Sequence, residues 1–323
     1  MLYQDNRKRI YRRHKHPKHQ QGMVIIVALF IMALIAVMSY AMMMRLERDT
    51  YRTMLILRNI QAEFYAQGSI DYAIDQLRNN WEKQKPKQVI DQMPIQLPAQ
   101  TMNGYTVTSI IDDMQARFNL NNLTEKESQE GFKRLVFVMN PKFTEKNIIQ
   151  LTQATVDWIS KRSQQSNVYN DYYLKQTIPY RAAHRPMMSI SELRLVKGMT
   201  EELYQALQDE VTTLPEPTPI NVQSASPEVL VTLAKTMNIE TAKALTQMRI
   251  SNPFVSVEDF LGLDIIKNHP VPMDKITTQS RYFLLKTTVS IEKQNLVLYT
   301  LLERIPKGKS ASVIPLWQSK GSW

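Results

Sequence analysis

The side chains that could carry chemistry are few and scattered. With no cysteine among 323 residues, thiol nucleophiles, disulfides and zinc–thiolate sites are excluded, while the redox compartment stays open. His14, His16 and His19 crowd into the first residues, and His184 and His269 stand alone. Asp112 and Asp113 are adjacent carboxylates, a pairing suited to acid–base work or to a hard cation. They open a run, Asp112 to Leu123, whose dense Asp and Asn content better suits side-chain-to-backbone turns. Ser189 and Ser226 sit where helices should start and read as caps, not nucleophiles. No glycine-rich phosphate loop, zinc spacing or nucleophile elbow is present. The chain is therefore not expected to be an enzyme, and no cofactor is certain.

The dominant element is physical instead. From Met23 to Met44 the sequence has no charge, no Pro and no Gly. As a helix this run spans roughly 33 Å, enough for the hydrocarbon core of a bilayer. Seven Lys and Arg residues (Arg7, Lys8, Arg9, Arg12, Arg13, Lys15, Lys18) precede it against the single acid Asp5, so this leader holds more than half of the net charge of +10. Basic flanks stay cytoplasmic, which predicts a single-pass inner-membrane chain with its bulk in the periplasm. A cleaved secretory signal would have a shorter apolar stretch ending in small residues, and Ser39-Tyr40-Ala41 is a poor site. A plain single-span anchor is the competing reading.

Beyond the membrane run, Ile60, Phe64, Ile70, Ile74, Leu77 and Trp81 predict an amphipathic stripe on a helix reaching about Asn80, ended by Lys85-Pro86-Lys87. Met93–Leu97, a turn at Asn103-Gly104, and Tyr105–Asp112 predict a hairpin. From Thr124 to about Lys275 the signals are helical: a Thr124-x-x-Glu127 capping box, starts at Thr144, Ser189, Thr200 and Ser226-Pro227, a helix over about Glu240–Arg249, and Ser256-x-x-Asp259. Strands return at Tyr282–Ile291 and Leu296–Arg304. The tail, 306–323, rich in Lys, Ser and Gly, is expected to be flexible. The predicted fold class is α+β, with a helical domain over 124–276 inserted between strands.

Gly22, placed between a basic leader and an apolar helix, resembles the amino terminus of type IV pilins and pseudopilins. That likeness implies cleavage by a prepilin peptidase between Gly22 and Met23, with Met23 becoming a methylated amino terminus. The family usually carries Glu at the fifth mature residue, where this chain has Val27. The Glu is held to neutralise the terminal amine of the subunit above. An unpaired ammonium in apolar surroundings costs several kcal/mol in order of magnitude. A subunit with Val27 therefore suits the end of a fibre, where no subunit lies above it.

Further segments are more specific: Gln115-Ala116-Arg117-Phe118-Asn119-Leu120-Asn121, Val156-Asp157-Trp158-Ile159, the run Ile190–Met199 and the run Pro219–Ser226. In this order they resemble the minor pseudopilin K family of type II secretion. The resemblance implies a pilin-like long helix and antiparallel sheet carrying a large inserted helical domain. It also implies a place at the pseudopilus tip with minor pseudopilins I and J, and a part in starting fibre assembly. Family members can bind calcium, but Lys161 and Arg162 stand where acids are usual, and no calcium ligand is assigned. The main rival is a membrane-tethered helix-hairpin-helix protein for DNA uptake, built on Leu195–Met199 and on Asn221–Leu263. Acids mixed among its cations leave no basic stripe, so no nucleic-acid partner is expected.

Overall fold

The computed structural model describes residues 20–83, 93–161, 169–292 and 294–321. The basic leader before residue 20 and Lys85-Pro86-Lys87 lie outside them. The chain divides into two units, one ending at Ile60 and one starting at Gln61.

Helix α1 covers Gln20–Glu82. Along its part in the first unit the large apolar residues from Met23 to Ile60 are exposed, except Leu55, which is half-buried. In the second unit, Ala62, Ala66, Ile70, Ala73, Leu77 and Trp81 are buried. The stripe predicted on Ile60 and Phe64 is therefore displaced, for Phe64 is 76% exposed. The reason is close approach. Alanines let the helix backbone come near the sheet, so that the Ser69 hydroxyl lies 2.7 Å from that of Thr287.

The sheet contains β1 (Ile95–Gln96), β2 (Gln100–Met102) and β3 (Tyr105–Asp113). After an inserted block it is completed by β8 (Tyr282–Ile291), β9 (Gln294–Lys307) and β10 (Ser310–Lys320). The order is β1-β3-β8-β9-β10, with β2 also on β3, and every pairing is antiparallel. Asn103 and Gly104, both at positive φ, turn β2 directly into β3. The expected Met93–Leu97 arm is instead the short β1, pairing farther along as Ile95↔Ile111. Pro98, which lacks an N–H for the ladder, separates the two pieces.

Contrary to expectation, residues 310–320 of the tail form a strand. Gly308, at φ 64°, turns β9 into β10 in the register Lys307↔Ser310. Ala311 and Val313 are buried, while Lys and Ser face water along a sheet edge. Composition hid this strand because an edge strand needs apolar residues on one face only. Pro315, at a register shift in β10, further protects the edge.

The inserted block leaves the sheet after β3 and re-enters at β8, its ladder neighbour. It holds β4 (Phe118–Asn119), α2 (Lys126–Met139), α3 (Glu145–Ile159), α4 (Asn170–Leu174), α5 (Glu201–Leu207) and β5 (Val211–Thr212). There follow β6 (Ile220–Asn221), α6 (Pro227–Leu230), α7 (Ile239–Ser251), α8 (Val257–Leu261), α9 (Asp264–Lys267) and β7 (Ile276–Thr277). The pairs β4–β5 and β6–β7 are parallel. Phe132, Leu151, Trp158, Leu193, Leu207, Leu230 and Phe260 belong to its core. Thr144, Thr200 and Ser226 cap their helices as expected, and Ser256 with Asp259 forms a full capping box. Thr124 does not cap: it closes a 3-10 turn over Leu120–Thr124, and α2 starts after Glu125 without a side-chain cap. Asn119 already caps that turn, which uses up Thr124 inside it. Gly131 lets α2 come close to the turn Val231–Leu233 that follows α6, since a Cβ there would stand 2.9 Å from the Thr232 carbonyl oxygen.

Candidate functional site

Two regions answer to the residues singled out above. The first is the amino-terminal end of α1. A Cβ at Gly22 would meet nothing within 4 Å, so the fold itself does not require glycine there. Met23 and Val27 are both exposed among the described residues. An 18-residue window of this helix reaches a mean hydropathy of 2.8 with none of it buried, the one such candidate membrane span among the described residues. Leaving a surface this apolar in water is strongly unfavourable, at about 25 cal/mol per Å², so lipid or other helices must cover it. Charge returns with Arg45, whose guanidinium lies 4.0 Å from Asp49, and with Arg48, which donates to the Met44 carbonyl. From Met23 to Met44 the helix carries no charged side chain. It can anchor, pack against other helices and present a cleavable peptide bond.

The second region is the joint where the inserted block leaves the sheet. Asp113, buried at the end of β3, accepts from the Gln115 N–H at 2.9 Å, from the Asn221 amide at 2.8 Å, and from the Ser224 hydroxyl. Burial pushes its carboxyl above the usual aspartate range. Asp112, half-buried, is raised for the same reason. Gln115 donates to the Pro219 carbonyl at 3.1 Å and accepts from the Arg281 N–H at 2.6 Å.

Asn119 and Asn121 act as surrogate backbone. The Asn119 side chain accepts from the N–H groups of Asn121 and Leu214 and donates to the Glu216 carbonyl. That of Asn121 accepts from the Met187 N–H at 2.8 Å and donates to the carbonyls of Met187 at 3.0 Å and Leu214 at 2.8 Å. An amide carries both donor and acceptor, so it can replace a strand neighbour where no strand runs. Trp158 donates to Glu192, whose other oxygen accepts from the Met188 N–H. The turn reading holds for the local bonds that Asp113 accepts from the Gln115 N–H and Asn119 from the Asn121 N–H, but Asp112 and Asp113 end strand β3 and the other bonds tie distant loops together.

The remaining candidates do not converge. Ser189 accepts from Ser191 N–H, and Ser226 from Val229 N–H, as caps. His269 Nδ1 sits 2.9 Å from the Thr236 hydroxyl. His184, at φ 49°, lies near Asp157, whose carboxyl is raised mainly by burial. Among the described residues no group of three or more His, Asp or Glu side chains is placed to hold a metal. Cations of the hairpin-like segments are engaged locally. Arg194 pairs with Glu201 at 2.7 Å, Lys197 lies 4.9 Å from the Tyr172 ring centre, and Arg249 donates to the carbonyls of Val222 and Ala225.

Sequence reasoning missed Arg304. It is fully buried between Trp81 and Phe283, with its carbon Cζ 5.1 and 4.7 Å from the ring centres, and it donates to the Ser280 carbonyl. An arginine in line with the inward residues of an apolar strand was the available signal.

Comparison with known proteins agrees with this architecture. Residues 116–216 and 220–279 match models described as type II secretion system (T2SS), protein K. Type II secretion system protein K of Klebsiella pneumoniae is 29% identical over 260 residues, 75% of this chain and 79% of that one. The Pseudomonas aeruginosa protein of the same name is 27% identical over 307 residues, 90% of each chain. A chain in the crystal structure of the GspK-GspI-GspJ complex from enterotoxigenic Escherichia coli superimposes with a TM-score of 0.71 at 21% identity, covering 84% of this chain and all of that one. The family models fall on the polar joint and the inserted block, where the motif residues do their bonding, and the chain belongs to the type II secretion system protein K family.

Proposed function

We propose that this chain is a minor pseudopilin that caps the pseudopilus and helps to start its assembly, so supporting export of folded proteins across the outer membrane. The observation that carries this reading is the exposed, charge-free stretch of α1 that follows Gly22 and holds Val27 where an acid would pair with a neighbour's amine. A prepilin peptidase would cut between Gly22 and Met23, leaving a methylated Met23. The apolar stem would hold the chain in the inner membrane, with the second unit in the periplasm. The E. coli complex, a protein K chain together with GspI and GspJ, supports minor pseudopilins I and J as partners. The stem around Val27 would pack on theirs. The inserted block would then be presented outward, towards secreted substrates or the outer-membrane gate.

The test is mass analysis of the amino terminus of the membrane-extracted protein. The expected result is a chain that begins at methylated Met23. An intact Met1 would return the chain to a plain anchor. Within fibres, cross-links from Val27 should reach the stems of partners on one side only.

A further inference from the structure

The segment from Tyr173 to Tyr180 is built as a loop with a rigid base and an unprotected tip. Its base is closed by the Tyr180 N–H donating to the Tyr173 carbonyl at 3.3 Å. Both phenols are fixed: Tyr180 donates to the Leu195 carbonyl at 2.8 Å, and Tyr173 accepts from the Lys197 N–H. The Tyr173 ring lies 5.3 Å from that of Tyr180 and 5.5 Å from Trp158. Above this base Ile178 is 80% exposed and Leu174 is 45% exposed, and Lys175, Thr177 and Pro179 are exposed with them.

The charges around the tip have one sign for the most part. Lys175 and Arg181 are exposed and, among the described residues, have no acidic partner. Lys197 lies over the rings of Tyr169 and Tyr172, at 5.2 and 4.9 Å. Arg185 reaches Glu192 at only 3.7 Å. Asp171 is the acid on the adjoining helix α4.

Aliphatic side chains at a tip, phenols at its base and cations around them match the gradient across a bilayer surface from acyl chain to headgroup phosphate. Tyr favours that boundary, and long cations keep their heads at phosphate level while their stems lie lower. We propose that the loop 173–180 docks on an anionic phospholipid surface, with Ile178 and Leu174 entering it and Lys175 and Arg181 meeting phosphates. This goes beyond the assembly role and does not depend on where in a fibre the chain sits.

The experiment uses the full chain, held by its apolar helix in zwitterionic nanodiscs, with Ile178→Trp as a position-specific probe. Difference spectra against the parent chain are recorded as anionic phosphatidylglycerol vesicles are added. The expected result is a blue shift of the new emission and its quenching by brominated lipid in the vesicles. Adding Lys175→Glu and Arg181→Glu should weaken the apparent affinity at least about tenfold, from roughly fivefold per cation removed. Lys243→Glu on α7 should leave it unchanged. The proposal is overturned if the probe gives no shift, if phosphatidylcholine vesicles shift it equally, if the two charge reversals have no effect, or if soluble polyglutamate shifts it where vesicles do not.

Discussion

The sheet and the inserted block of the second unit satisfy their backbones in different ways. In the sheet, β3, β8, β9 and β10 hydrogen-bond to one another in continuous ladders, and side chains are free to alternate between faces. The inserted block has short helices and two-residue strands, so much of its backbone has no regular neighbour. Buried amides fill that role, with Asn119, Asn121 and Gln115 each bonding to main chain from loops far away in sequence. Substitutions should therefore act by different rules in the two regions: volume decides in the sheet, and hydrogen-bonding capacity decides in the block.

The largest expected effect is Asn121→Leu. It keeps the size but orphans the Met187 N–H and two carbonyls, and should cost about 4 kcal/mol, since each buried polar group left unpaired costs roughly 1–3 kcal/mol. Thermal or denaturant unfolding of the detergent-solubilised chain measures it, and a loss below about 1 kcal/mol would break the comparison. Ala66→Leu comes next. It overpacks the face of α1 that lies on the sheet and should destabilise by about 2 kcal/mol in the same assay.

The joint between the two regions should show in pH dependence. Asp113 is held by burial above the ordinary aspartate value of 3.8, and Asp112, Asp157 and Glu210 are shifted the same way. The folded chain thus keeps these protons more tightly than the unfolded chain does. The stability that these four groups contribute should be fully present below the ordinary carboxylate range and be lost as pH rises through their raised folded values. Asp113→Asn should flatten that slope when unfolding is followed across a pH series, and an unaltered slope would remove Asp113 from the joint. The smallest effect is Phe64→Ser. Despite its place in the hydrophobic pattern it should change stability by no more than about 0.5 kcal/mol, because the side chain is exposed. Equal effects at Ala66 and Phe64 would show that the helix face was assigned wrongly.

Much of the fold was legible. Met23–Met44 could only be an apolar helix, and β8 was readable from the alternation Phe283, Leu285, Thr287, Val289, whose side chains are buried apart from the packed rim at Ile291. Ser226 and Ser256 announced helix starts because capping is a matter of three or four consecutive residues. The failures share a cause. Ala62, Ala66 and Ala73 look neutral in a hydropathy pattern, yet they are the residues that permit contact. The sequence around β10 looks like a tail until β9 is there to pair with it. Arg304 looks like a surface residue until Trp81 and Phe283 are seen on either side of it.

Local spacing determined most of the helices, the strand β8, the caps at Ser226 and Ser256, and where the charge-free stem lay. Those properties depend on near neighbours in the chain, whose geometry is set by backbone sterics and solvation. Tertiary structure alone decided which face of α1 was buried, that Asn119 and Asn121 would bond to loops from Met187 to Thr218, and that a Lys- and Ser-rich end would become an edge strand. These choices rest on partners distant in sequence, and close packing and hydrogen bonding act only once those partners have been brought together.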